Sequence, residues 1–277
     1  MSIIKLLDEF TSENLINKKS SRREMFGTFG SFSKKAALAA VPFGLATSGK
    51  ASAATMFQDA GDPIAALQLA LTLEYLEAEF YNKALESGVL EGGSRAEKVF
   101  MQISKHEDAH VEFLVENLGE NSVESPTFDF TVGGAFDPFN ENGIGVETAR
   151  AQMLALAQAM EDTGVRAYKG QAVNLMGTPF LQPALRIHSV EARHASEIRR
   201  IRGLKGWIIR DNRGEGMPEA TQPVYNGEAN VIQGGVDITT LNSDVVGDMV
   251  DAATAAFDEP LTAEEAVAIA NLFIVSE

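Results

Sequence analysis

The feature of this 277-residue sequence that most restricts its fold is a pattern that occurs twice: a Glu with a Tyr seven residues later, followed by a Glu-x-x-His. Glu74 and Tyr81 precede Glu107 and His110, and Glu161 and Tyr168 precede Glu191 and His194. Residues three apart share a helix face, and seven residues are close to two turns. On helices, each His therefore stands beside its Glu, and each Tyr lies under its Glu. With 26 Glu and 4 His, chance supplies about 0.4 Glu-x-x-His pairs in a chain of this length. Two such pairs, alternating with two Glu…Tyr pairs, mark a duplicated helical hairpin.

The helix ends agree with that reading. Asp62 and Pro63 are a cap and a helix-starting proline, and the apolar-rich segment after them runs to Ser87 before Gly88. Ser94 and Glu97 form a capping box for a second helix that continues through Leu118 to Gly119. A third begins near Glu147, carries Met153, Leu154, Leu156, Ala157 and Met160 on an apolar face, and ends at Gly177. Thr178 and Pro179 open a fourth that ends by Gly203, with Pro183 as a competing start. Thr262 with Glu265 caps a last helix ending near Val275. The links within each hairpin are short, whereas residues 120–146 form a long connection in which Phe128, Phe130 and Val132 alternate with polar residues, as in a short extended piece. Two hairpins joined by one long crossover form the ferritin-like variant of the four-helix bundle. The expected class is all-α, with a C-terminal extension that ends in a helix.

In such a bundle the pattern converges on one place. Counted from the hairpin turns, Glu74 and Glu107 stand at one level, and Glu161 and Glu191 meet similarly. Four carboxylates forced together repel and take up protons unless cations neutralise them. Two divalent cations answer that problem, and Glu74, Glu107, His110, Glu161, Glu191 and His194 are the candidate metal ligands. Glu77 and Glu79 compete with Glu74 for the first-helix position, and Glu74 is preferred for its spacing to Tyr81. Tyr81 and Tyr168 are placed behind the ligands, with hydroxyls able to hydrogen-bond their carboxylates. His106 and His188 are read as surface residues or as supports for the ligands. There is no cysteine, so the donors are oxygen and imidazole nitrogen, a set that suits iron or manganese and also zinc.

With these residues in place, the chain resembles the ferritin-like superfamily, and within it the exported ferritin-like proteins that include plant desiccation-related proteins. The resemblance is carried by Leu73 to Tyr81 (LEYLEAEFY) and by Gly203 to Asn226 with its GW, GMP and VYNG pieces, and it covers roughly residues 60–275. It implies the bundle fold and the same six metal ligands. Related sites serve iron oxidation, peroxide reduction, catalase chemistry and oxygenation, so the fold does not choose the reaction. A di-iron or di-manganese centre reacting with oxygen or peroxide is one expectation. A non-catalytic structural or stress-protection protein, its bundle braced by metal or without it, is the other.

The formal charge of -16 repels phosphate backbones and anionic lipid, which excludes nucleic acid as a partner. The expected partners are metal ions and oxygen or peroxide, and the expected assembly is a monomer or small homo-oligomer. Residues 1–53 read as a twin-arginine-type export signal: Arg22 and Arg23, an apolar run from Ala36 to Ser48, and the small residues Ala51, Ser52 and Ala53. No further stretch reaches the length of a membrane span. The expected organisation is a signal over 1–53, a bundle over 54–203 and an extension packed on it over 204–277, with a periplasmic or extracellular destination.

Overall fold

The computed structural model describes residues 61–241 and 247–275. The expected export signal lies outside the described residues. Four long helices carry the fold: α1 (Pro63–Glu86), α2 (Arg95–Leu118), α3 (Val146–Gln171) and α4 (Leu181–Ile201). α1 packs along α2 and α3 along α4, while α1 against α3 and α2 against α4 close the ring. The class is all-α, as expected. The strands among the described residues are β1 (Ile232–Gln233) and β2 (Val236–Asp237), one small antiparallel pair.

The caps explain the boundaries and correct some of them. Asp62 accepts the Ile64 N–H at 2.9 Å ahead of Pro63, so α1 starts where expected. Ser94 accepts the Glu97 N–H, but Glu97 reaches back to the Gly93 N–H rather than to that of Ser94, so the expected box closes one residue early. α3 begins at Val146, and after Gln171 it tightens into a 3-10 turn over Ala172–Leu175 before Gly177 turns the chain at φ +77°. α4 begins at Leu181, not at Thr178. That start puts Pro183 in the first turn, where a missing N–H costs little. The last helix is shorter than expected. Of the two short helices, α5 (Met249–Thr254) and α6 (Ala263–Ala270), the second has the full Thr262/Glu265 box but ends at Ala270. Ile274 then pairs with Phe128 of the crossover, and the Val275 N–H donates to the Thr127 carbonyl at 2.9 Å. The extended piece in the crossover is brief, because Val132 turns to φ 50°. Phe128, Phe130, Phe136 and Phe139 bury against Phe80 and Leu76 of α1.

α3 is the central element. Every residue from Met153 to Tyr168 is buried, including Gln158, Asp162 and Arg166. Buried polar groups need partners, and the chain beyond α4 supplies them to this four-residue-spaced stripe. Gln158 donates to the Tyr225 hydroxyl at 2.9 Å, and that hydroxyl donates to Asp162 at 2.8 Å. Asp162 also pairs with Arg199 of α4. Arg166 donates to the carbonyls of Val224, Asn226 and Glu259 and pairs with Glu228 at 2.7 Å. The Leu261 N–H in turn donates to the Arg166 carbonyl at 3.0 Å.

That approach requires Gly170. A Cβ there would fall 1.8 Å from the Leu261 carbonyl oxygen, and the obstacle is backbone. Gly170→Ala is expected to push the 259–261 segment off α3 and to cost about 1–3 kcal/mol, the range for overpacking a close contact. Chemical denaturation of the two proteins under identical metal-free conditions checks it, and unchanged stability would mean that this contact is dispensable.

Candidate metal centre

Four helices each bring one or two groups to the bundle axis. Glu74 comes from α1, Glu107 and His110 from α2, Glu161 from α3, and Glu191 and His194 from α4. All four carboxylates are fully buried and His194 is nearly so, while the His110 side chain is 12% exposed. The ligand atoms fall into two groups, each within 4.8 Å: Glu74, Glu107, His110 and Glu191, then Glu107, Glu161, Glu191 and His194.

Glu107 and Glu191 belong to both groups, and their oxygens divide between them. Glu107 sends Oε2 to His110 Nδ1 at 2.9 Å and Oε1 to His194 Nδ1 at 2.9 Å. Glu191 does likewise, Oε1 lying 3.2 Å from His110 Nδ1 and Oε2 lying 3.4 Å from His194 Nδ1. Glu74 completes the first half, 3.1 Å from His110, and Glu161 the second, 3.3 Å from His194. Each half thus has one carboxylate and one imidazole of its own and shares two carboxylates with the other.

The tyrosines cross over. Each lies two turns beyond the Glu of its own helix, but the Tyr81 hydroxyl donates to Glu161 at 2.5 Å and the Tyr168 hydroxyl to Glu74. Burial, then the charge of the accepting carboxylate, pushes both phenols up, so they remain proton donors. Glu79 is turned away and pairs with Lys83. His188 bonds the Val165 carbonyl of α3 and takes no part in the cluster. His106 sits behind His194, with Nδ1 2.8 Å from His194 Nε2 and its other nitrogen 2.7 Å from Gln102. His106 therefore holds His194 by Nε2 and leaves its Nδ1 facing the carboxylates.

Two groups at the site carried weak sequence signals. Glu77 is 2% exposed and is surrounded by the charges of Glu191, Glu161, Glu107 and Glu74. Its position three residues after Glu74 placed it on the correct face, yet spacing alone offered no reason to keep both. Gly164 lies beside it, and nothing in the sequence distinguishes that glycine from a packing residue.

The electrostatics are those of a site with too many carboxylates for its protein cations. Burial and the charge of Glu191 raise Glu74 to about 8, against the hydrogen bond from His110. Burial, which His194 only partly offsets, and then repulsion by Glu191 and Glu107 push Glu161 up. Burial alone would raise Glu191 as well, but its close contacts with the His110 and His194 imidazoles bring it down to about 2. Burial opposes protonation of His110, and its bonds to Glu107, Glu191 and Glu74 outweigh that and raise it to about 12. His194 is raised in the same way by Glu161, Glu107 and Glu191.

Five buried atoms of the cluster, Glu107 Oε1, Glu161 Oε2, both Glu191 oxygens and His194 Nδ1, have no hydrogen-bond partner of acceptable geometry among the described residues. Buried charges in that condition are costly. Lone pairs converging from four carboxylates and two imidazoles are what a cation of the iron, manganese or zinc type accepts, so the cluster can hold metal. A family model for a ferritin-like domain matches residues 62–204. The chain belongs to the ferritin-like domain family. No curated protein and no solved structure matches it. Within this ferritin-like domain the helix ends, the crossed tyrosines and the paired Glu-x-x-His motifs all lie inside the matched residues.

The pKa directions fix a sign. A carboxyl whose folded value is raised, such as Glu74, adds stability below its unfolded value and loses that contribution as pH rises toward its folded value. Metal-free protein is therefore expected to lose stability between about pH 4.5 and 8, the span from the ordinary Glu value to that of Glu74. Metal binding displaces those protons, so the rise in melting temperature on adding Mn(II) should be larger at pH 8 than at pH 5.5. Scanning calorimetry with and without chelator measures both, and a metal-induced rise that shrinks at pH 8 would contradict the reading.

Proposed function

We propose that this ferritin-like protein binds two divalent ions, iron or manganese, in a carboxylate-bridged centre and uses them on oxygen or peroxide in stress protection. The observation that carries the reading is the division of Glu107 and Glu191, each with one oxygen toward the Glu74/His110 half and the other toward the Glu161/His194 half. Carboxylates presented this way span two ions rather than chelate one. Glu74, Glu107, His110 and Glu191 would hold one ion, and Glu107, Glu161, Glu191 and His194 the other. Bound ions of this kind supply electrons and Lewis acidity for oxygen or peroxide chemistry.

The residues around the ligands fit small reactants. Tyr81 and Tyr168 fix the terminal carboxylates Glu161 and Glu74 from behind. His106 leads from His194 toward the surface, where the Gln102 amide donates to its outer nitrogen. A largely apolar cavity of about 20 Å³ lies beside Glu77, lined also by Leu73, Leu76, Ala159 and Met160, with room for a water-sized or diatomic molecule. The Arg22–Arg23 pair and the small residues to Ala53 support export by the twin-arginine route, and the LEYLEAEFY and VYNG segments support kinship with exported desiccation-related proteins. Such a route moves folded protein, which would let the cytoplasm load the metal.

Elemental analysis of the purified protein should find about two iron or manganese ions per chain. Glu107→Ala should lose both, and His194→Ala at least the ion of its own half. A wild-type chain that takes up no metal, with unchanged melting temperature in Fe(II), Mn(II) and Zn(II), would overturn the centre. Loaded protein that consumes neither peroxide nor oxygen would leave it a structural brace.

A further inference from the structure

Among the buried positions at which the two halves of the pattern differ, one lies beside the site. Three residues after Glu74 is Glu77, and three residues after Glu161 is Gly164. Tyr81 meets Glu161 and Tyr168 meets Glu74, so α3 descends seven residues as α1 climbs seven, and the helices are antiparallel. In that register position 77 lies level with 165, and Gly164, one residue away, meets the Glu77 side chain near the axis relating the hairpins. The space where they meet holds one long side chain. Here Glu77 takes it: a Cβ on Gly164 would lie 3.3 Å from Glu77 Oε1 and 3.5 Å from Glu191 Cγ.

Glu77 thus spans the gap between α1 and α3 and ends beside Glu191. It is 2% exposed, and among the described residues no hydrogen bond or ion pair holds its carboxylate. Its strongest electrostatic neighbours are Glu191 and Glu161, both of the His194 half, and burial followed by their repulsion drives its own proton affinity up. An apolar residue would fill this volume without the cost of withdrawing a carboxyl from water. Glu77 stands outside the two groups of ligand atoms lying within 4.8 Å. The bare α3 surface at Gly164 leaves its carboxylate unobstructed on that side.

We propose that Glu77 is a seventh protein ligand of the centre, a carboxylate that closes on the ion held by Glu161, Glu191 and His194, with Gly164 providing the room. This rests on the reading of the centre as a two-ion site. It makes the site asymmetric: the His194 half has access to four carboxylates and the His110 half to three.

Co(II) titration of the full chain tests it, followed by visible absorption and by equilibrium dialysis. Wild type should bind about two ions. Glu77→Gln, which keeps the shape and removes the charge, should weaken one of the two by about 10–100-fold and change the absorption of that ion alone. Gly164→Ala, whose methyl presses on Glu77 Oε1, should weaken the same ion to a lesser degree, and it decides the matter if Glu77→Gln fails to fold. Binding of both ions by Glu77→Gln with wild-type affinity and spectrum would overturn the proposal and leave Glu77 a neutral buried acid. A wild-type chain that binds no Co(II) would overturn the two-ion site itself and Glu77's role with it.

Discussion

Burying five carboxylates and two imidazoles at the centre of a helix bundle is the constraint on which the rest of the structure depends. Each ionised carboxylate withdrawn from water loses several kcal/mol of solvation, and His110 and His194 are the protein cations paired with them. Without metal the balance is met by protons, and the cluster can hold metal in their place. The groups must also be kept from drifting out to solvent. Their positions toward the middle of long helices, with the aromatic cluster of Phe80, Phe100, Phe130 and Phe139 at one end, do this. A site on loops would relax its repulsion by moving; a site on four packed helices holds its geometry.

The crossed tyrosines are part of the same solution. Glu74 and Glu161 are the carboxylates belonging to one half each, so they lack the second imidazole that Glu107 and Glu191 enjoy. Each receives a phenol from the opposite helix instead. The reciprocity also sets the register of α1 against α3, since a slip by one residue would break both bonds and turn both glutamates. One pair of interactions therefore orients ligands and aligns the hairpins.

What the sequence makes legible follows from the helix period. Glu-x-x-His and Glu…Tyr are statements about one helix face, so the convergence of Glu74, Glu107, His110, Glu161, Glu191 and His194 could be read from spacing and hairpin length. Relations between helices could not. The Tyr spacing aligns each phenol with the Glu of its own helix, but the acceptor is on the neighbour. Gln158, Asp162 and Arg166 form a polar stripe that on sequence alone reads as a solvated face, and it is buried because Tyr225, Asn226 and Glu228 cover it. Pro183 was ambiguous for the same local reason: a proline is tolerated throughout the first turn, so its position does not fix where that turn begins. Glu77 was legible as a residue on the correct face, but its meaning depends on Gly164, which lies on another helix.

The C-terminal segment makes the two sides of the centre unlike. On the α1/α3 side, Thr221, Val224, Ile269 and Ala270 close over the small cavity that Glu77 lines, and the packing there is apolar. On the α2/α4 side, His110 is partly exposed, and Gln102 and His106 form a polar chain to His194. Among the described residues, the polar chain that reaches the centre lies on the second side, and the cavity on the first is lined mostly by apolar side chains. A duplicated hairpin by itself would give both faces the same character. The difference arises because only α3 carries the Gln158, Asp162 and Arg166 stripe, so the extension docks on one face and leaves the other to solvent. A centre built from two nearly equal halves thereby acquires a dry side and a wet side, and Glu77 projects from the dry one.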